Sequence, residues 1–215
     1  MKLLAIELSR LTALFHATRS AGQLYLPQAA AMLSHRYNFA SYPSSYNDLS
    51  GDRIDFRHGE FEGSAIESLE IYSDGIVITS RSDTDFIDKF FADFCQWIDD
   101  DLGLSMIKTH SIDRVYESNL IVEAERNILM PLEELSKISQ LIENDLKEIS
   151  GLEVQFEPYG WTIAADQTHN PSLKPTAFRV ERRLGIEFSM EQFATSAPLK
   201  TKQHLDVLEK LESLM

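Results

Sequence analysis

The chain holds a single cysteine, Cys95, so it can form no intrachain disulfide, a usage that suits a reducing compartment. It also lacks a long apolar run. The leucine-rich start, MKLLAIELSRLTALF, is broken by Glu7 and Arg10. Neither the roughly 7 to 15 apolar residues of a secretory signal nor the roughly 20 of a membrane span is reached, and a cytoplasmic location is expected. Basic residues are scarce, with 20 Lys and Arg against 34 Asp and Glu, for a formal charge of −14. That balance repels phosphate backbones and anionic lipid at long range, so neither direct nucleic-acid binding nor membrane binding is expected.

Short catalytic and cofactor signatures are missing too. Nothing matches the phosphate-cradling GxxxxGK[ST] or GxGxxG patterns or the GxSxG nucleophile elbow. The six histidines, at 16, 35, 58, 110, 169 and 204, show no HxH, HxxxH or HExxH spacing, and Cys95 has no basic neighbour in sequence to favour its thiolate. No cofactor and no metal site is therefore expected.

What is present is an ordinary folding composition, 43% hydrophobic and 25% charged over 215 residues. A chain of this size buries about 70% of its unfolded surface without staples. The stretch from Leu69 to Leu104 organises it. Asp74-Gly75 lies between two alternating runs and predicts a type I′ hairpin in which Ser73 faces Ile76 and Ile71 faces Ile78. Leu69, Ile71, Ile76 and Ile78 then share the core side of the ribbon.

SDTD follows, with Ser82 or Asp83 as N-cap, and predicts a helix from about Thr84 that ends at Gly103. Its apolar stripe is Phe86, Ile87, Phe90, Phe91, Phe94, Cys95, Trp97 and Ile98. Only Asp99, Asp100 and Asp101 oppose the helix dipole, each by about 0.3 to 1 kcal/mol, which marks them as candidate interaction residues.

Elsewhere the 4, 3, 4 spacing of Leu4, Leu8, Leu11 and Phe15 predicts an N-terminal helix, and Pro27 opens a short second one after a strand at GQLYL. Tyr37, Phe39, Tyr42 and Tyr46 fall in a loop-forming region, where they either cover the core edge or display Tyr42 and Tyr46 to a ligand. IDFRHGEFEG reads as extended, with Gly59 and Gly63 marking a bend. Arg114 to Arg126 reads as a strand. Pro131 opens a second long helix with the stripe Leu132, Leu135, Ile138, Leu141, Ile142, Leu146 and Ile149. Both long helices stop at Gly-Leu, at positions 103 and 151, which hints at duplication with halves at about 1–112 and 113–215.

Pro158 to Gly160 interrupts an edge strand, and AFRVERRLGIEF reads as one long strand in which Arg182 shares the apolar parity. Its guanidinium then points inward and needs a carboxylate or a bound anion. Leu199 to Met215 closes the chain as an amphipathic helix.

The fold class expected is α+β, a single domain whose mostly antiparallel sheet is covered by two long amphipathic helices plus terminal helices. The function expected is that of a non-enzymatic acidic interaction protein: an adaptor, assembly subunit or inhibitor. Its partner is a protein with a basic surface, or a second copy docked through the basic C-terminal cluster of Lys174, Arg179, Arg182, Arg183, Lys200, Lys202 and His204. The candidate interaction residues are Asp99, Asp100, Asp101, Arg182, Arg183, Tyr42 and Tyr46. Two alternatives stand beside it. One is a nucleic-acid mimic that occupies the basic cleft of a DNA- or RNA-binding protein; the other is a hydrolase or nuclease using a divalent cation held near Asp99 to Asp101.

Overall fold

The first strand decides the architecture. In the computed structural model, which describes residues 1–14, 18–19, 25–45, 48, 52–105, 113–166, 168 and 174–215, strand β1 (Lys2–Leu14) lies at the centre of an eight-stranded sheet. A helix was expected here, and the strand overturns that expectation. Two irregularities in the pairing with its neighbour, between Leu3 and Ala5 and between Ile6 and Leu8, reset the strand parity, so the leucines imitate a helical period. Hydrogen-bonding partners on both edges outweigh a local pattern of that kind.

The remaining elements are β2 (Thr18–Arg19), α1 (Leu26–Arg36), β3 (Arg53–Phe61), β4 (Ser64–Tyr72), β5 (Gly75–Ser80), α2 (Thr84–Leu102) and β6 (Leu104–Ser105). They are followed by β7 (Asp113–Glu123), a 3-10 turn at Met130–Leu135, α3 (Ser136–Ser150), β8 (Gly160–Ile163), β9 (Phe178–Arg182), β10 (Gln192–Ala197) and α4 (Thr201–Ser213). The sheet runs β3-β4-β5-β1-β7-β10-β9-β8 with every neighbouring pair antiparallel, and β2 pairs separately with β6. The protein is thus α+β with an antiparallel sheet.

Strand, helix, three-stranded meander and helix follow one another from β1 to α2, and the same order returns from β7 to α4. Registers repeat as well. Ser9, Leu11 and Ala13 face Ser80, Ile78 and Ile76, while Ser118, Leu120 and Val122 face Ala197, Thr195 and Phe193. Ser9 and Ser118 face each other where β1 meets β7, at the centre of this arrangement. Element order therefore matches α2 with α4 and α1 with α3. The two Gly-Leu stops, on α2 and α3, do not occupy corresponding places.

The hairpin also differs in detail. Tyr72 faces Gly75 and Ile71 faces Ile76, so Ser73 and Asp74 form the turn, and Gly75 opens β5. A Cβ on Gly75 would lie 2.4 Å from the Ala13 carbonyl oxygen, so this glycine serves close approach to β1. The positive-φ pair is Glu62 and Gly63, at φ 48° and 77°, in the tight connection between β3 and β4. The pairing moved by two residues, which leaves every side chain on its expected face.

Helix α2 supplies the main core. Asp83 caps it by accepting from the Phe86 backbone N–H at 2.8 Å, and Gly103 closes it at φ 61°. Ile87, Phe90, Phe91, Phe94, Cys95, Trp97 and Ile98 are all buried, packed with Leu11, Phe56, Leu69, Ile76 and Ile78 of the sheet. Burying each large side chain stabilises by roughly 1.5 to 3 kcal/mol. Tyr37 and Phe39, beyond α1, fold into this same core, so the aromatics of that region mostly cover it. A smaller core joins Leu120, Val122, Ile128, Leu129, Val180 and Phe193 to Leu208 of α4.

The two cores meet at the helix starts. Thr84 Oγ1 accepts from the Thr201 backbone N–H at 2.9 Å, and Thr201 Oγ1 accepts from the Thr84 N–H at 3.1 Å. On the opposite parity of the sheet, ion pairs cross between strands, with Arg10 to Glu117 at 3.1 Å and Arg53 to Glu70 at 3.5 Å.

Candidate interaction surface

Helix α3 does not cover the sheet as its stripe predicted. Leu135, Ile138, Leu141, Ile142 and Ile149 are 42 to 83% exposed, although the spacing is that of a buried face. The chain then turns at Gly151, φ 70°, and runs back beside the helix. Two bonds hold it there: the Phe156 N–H donates to Glu143 Oε1 at 2.7 Å, and Lys147 meets Glu153 at 2.6 Å. This returning segment also exposes Leu152, Val154, Phe156 and Tyr159, and Ile163 on the edge strand β8 is exposed as well.

Between α3 and the sheet lies a cleft of about 570 Å³, bordered by Leu129, Met130, Gln140, Glu143, Phe156 and Arg182. Arg182 is the inward arginine that the strand parity predicted, and it is 4% exposed. Its guanidinium meets Glu157 at 3.5 Å and Glu191 at 3.8 Å, donates to the Phe188 carbonyl at 2.9 Å, and stacks 4.7 Å from the Phe188 ring. Burial raises the carboxyl pKa of Glu191 above its ordinary value, against the pull of Arg182. The expected long strand ends here. Beyond Arg182 the chain forms a loop with Gly185 at φ 77° and Glu191 at φ 47°, and β10, unforeseen from the sequence, returns beside β9.

The other singled-out residues are dispersed. Asp99 is half-buried and Asp100 and Asp101 are exposed at the end of α2, whose last turn holds no basic residue. No group of acids, histidines or cysteines able to hold a metal ion occurs among the described residues. Arg183 bonds the Gln192 side chain at 2.9 Å. Tyr42 is 40% exposed, and Tyr46 lies outside the described residues.

The basic C-terminal cluster is largely paired within the chain. Lys200 meets Asp88 at 2.5 Å, Arg179 meets Glu181 at 3.6 Å, and Arg182 is enclosed as described. His204 is buried, with Nδ1 at 2.9 Å from Ser118 Oγ, and burial lowers its pKa to about 4. Burial pushes the Cys95 thiol up to about 12, so the one sulfur nucleophile stays protonated at neutral pH.

Sequence reasoning therefore found the α3 stripe but assigned it to the core. The local signal of acids and lysines around the stripe is the same for a helix that packs on its own sheet and for one that packs on something else. No helix among the described residues is long and apolar enough to cross a membrane. Comparison with protein-family models and with curated proteins finds no match to this chain.

Proposed function

We propose that this is an acidic interaction protein, an adaptor, assembly subunit or inhibitor, whose work is done through protein contacts at the surface formed by α3 and the segment that follows it. The single observation that carries the reading is the exposed apolar stripe of α3. Five large apolar side chains of one helical face stand exposed together, which differs from the singly scattered apolar residues of an ordinary surface. A helix amphipathic in sequence and solvated on its apolar face has a place to go only in a complex.

The same reading takes the chain as one domain made of two related halves, about 1–112 and 113–215. Support comes from the repeated element order, the mirrored strand order and the matching registers around Ser9 and Ser118. The α3 surface then belongs to the half whose first helix left the sheet.

Affinity isolation of the chain from its own cells tests the function. A partner retained by the natural sequence and lost from the Ile138→Ser, Leu141→Ser, Ile149→Ser variant is the expected result. No retained partner at low salt, or one held equally by both, is the result that removes the proposal.

A further inference from the structure

Resting on that reading, we infer that the occupant of the α3 surface is a basic amphipathic helix of a partner protein, its apolar side on the stripe and its Lys and Arg side chains on the rim. Charge decides between this occupant and a second copy. From Met130 to Ile163 the chain carries seven acids and only two lysines. Both lysines already lie near carboxylates, Lys147 at 2.6 Å from Glu153 and Lys137 at 4.0 Å from Glu134. Glu133 at the cleft and Asp145 and Glu148 on α3 are all exposed.

Two copies meeting face to face would bring one acidic rim against another, with like charges held together around a desolvated centre. A basic helix reverses that term, because its cations steer the encounter and then sit opposite the rim carboxylates. Helices that lie along a hydrophobic surface do so through anchors at i, i+3, i+4 and i+7, the spacing α3 itself presents. The cleft beside α3 carries Glu133, Glu143 and Glu157 on its lining, so a cationic side chain of such a helix meets carboxylates there.

The test titrates the whole chain against two fluorescein-labelled peptides of about 18 residues, one a Leu/Lys amphipathic helix and the other its Leu/Glu counterpart. Anisotropy is read at about 50 and 500 mM salt. The Leu/Lys peptide is expected to bind and to weaken with salt. Binding should fall at least about tenfold both in the Ile138→Ser, Leu141→Ser, Ile149→Ser variant and in the Glu133→Lys, Asp145→Lys, Glu148→Lys variant.

Equal binding of the two peptides, or no loss in the charge-reversed variant, overturns the assignment. Sedimentation equilibrium supplies the competing outcome: a dimer of the natural chain that the serine variant dissociates means that a second copy covers the face. Should the serine variant unfold, the charge-reversed variant decides alone. A partner retained from cells together with failure of the Leu/Lys peptide refutes this occupant while leaving the interaction function standing.

Discussion

Helices α1 and α3 hold corresponding places in the element order, and they differ in what their apolar faces meet. Ala30 and Leu33 of α1 are buried, and the turn that follows sends Tyr37 and Phe39 into the aromatic core, where Tyr37 lies 4.8 Å from Phe90. In the other half, Ile128 and Leu129 fill the smaller core before the helix begins, and α3 is left outside with Ile149 83% exposed. Aromatic burial is therefore concentrated on the α1 and α2 side of the sheet, and the apolar face of α3 meets solvent.

Substitutions in the two regions should differ sharply in cost. Phe90→Ala, in the aromatic core, should destabilise by about 3 to 5 kcal/mol. Ile149→Ala, on the exposed stripe, should stay within about 0.5 kcal/mol. Urea unfolding of both variants checks this, and a large loss for Ile149→Ala shows that α3 is packed after all.

A second contrast uses pH. Neutral His204 is held in the folded chain with its pKa near 4, whereas in the unfolded chain it titrates near its ordinary value of about 6.5. Between these values the unfolded chain binds the extra proton, so the contribution of His204 to stability is complete above about pH 6.5 and is lost as the pH falls toward 4. The loss is of the order of 3 kcal/mol. His204 is the one buried histidine among the described residues, so a His204→Asn variant should flatten the stability curve over this window; an unchanged slope assigns the acid sensitivity to the carboxylates.

The junction between α2 and α4 should respond more weakly. Thr84→Val and Thr201→Val each remove the hydroxyl that accepts the other helix's first backbone N–H, at about 1 to 2 kcal/mol apiece. Equal losses for the two, measured by thermal unfolding, are expected from the reciprocal geometry. A clear asymmetry means the junction is not shared evenly.

Much of the fold was legible because it is locally written. Asp83, the aromatic stripe and Gly103 predicted α2 within a residue at its start and end, and the parity of Arg182 placed its guanidinium inside beside carboxylates. Other parts depend on partners distant in sequence. The bulges of β1 exist only against β7, the turn register of β4 and β5 is set by Gly75 against Ala13, and β10 takes its strand form between β7 and β9. The exposed apolar face was half legible. The stripe of α3 was visible, but exposure is a property of the neighbourhood, and the segment from Val154, which reads as the start of an edge strand, runs beside α3 instead, with strand only at Gly160–Ile163.

Strand β1 has a consequence for synthesis. It precedes both of its neighbours, and its second edge stays open until β7 has been made, some 40 residues after β5 closes the first. At about 5 to 20 residues per second this leaves a central strand half-paired for several seconds on every ribosome. Glu7 and Arg10, which interrupt the apolar run, keep charge on that waiting edge and so guard a nascent chain against its neighbours.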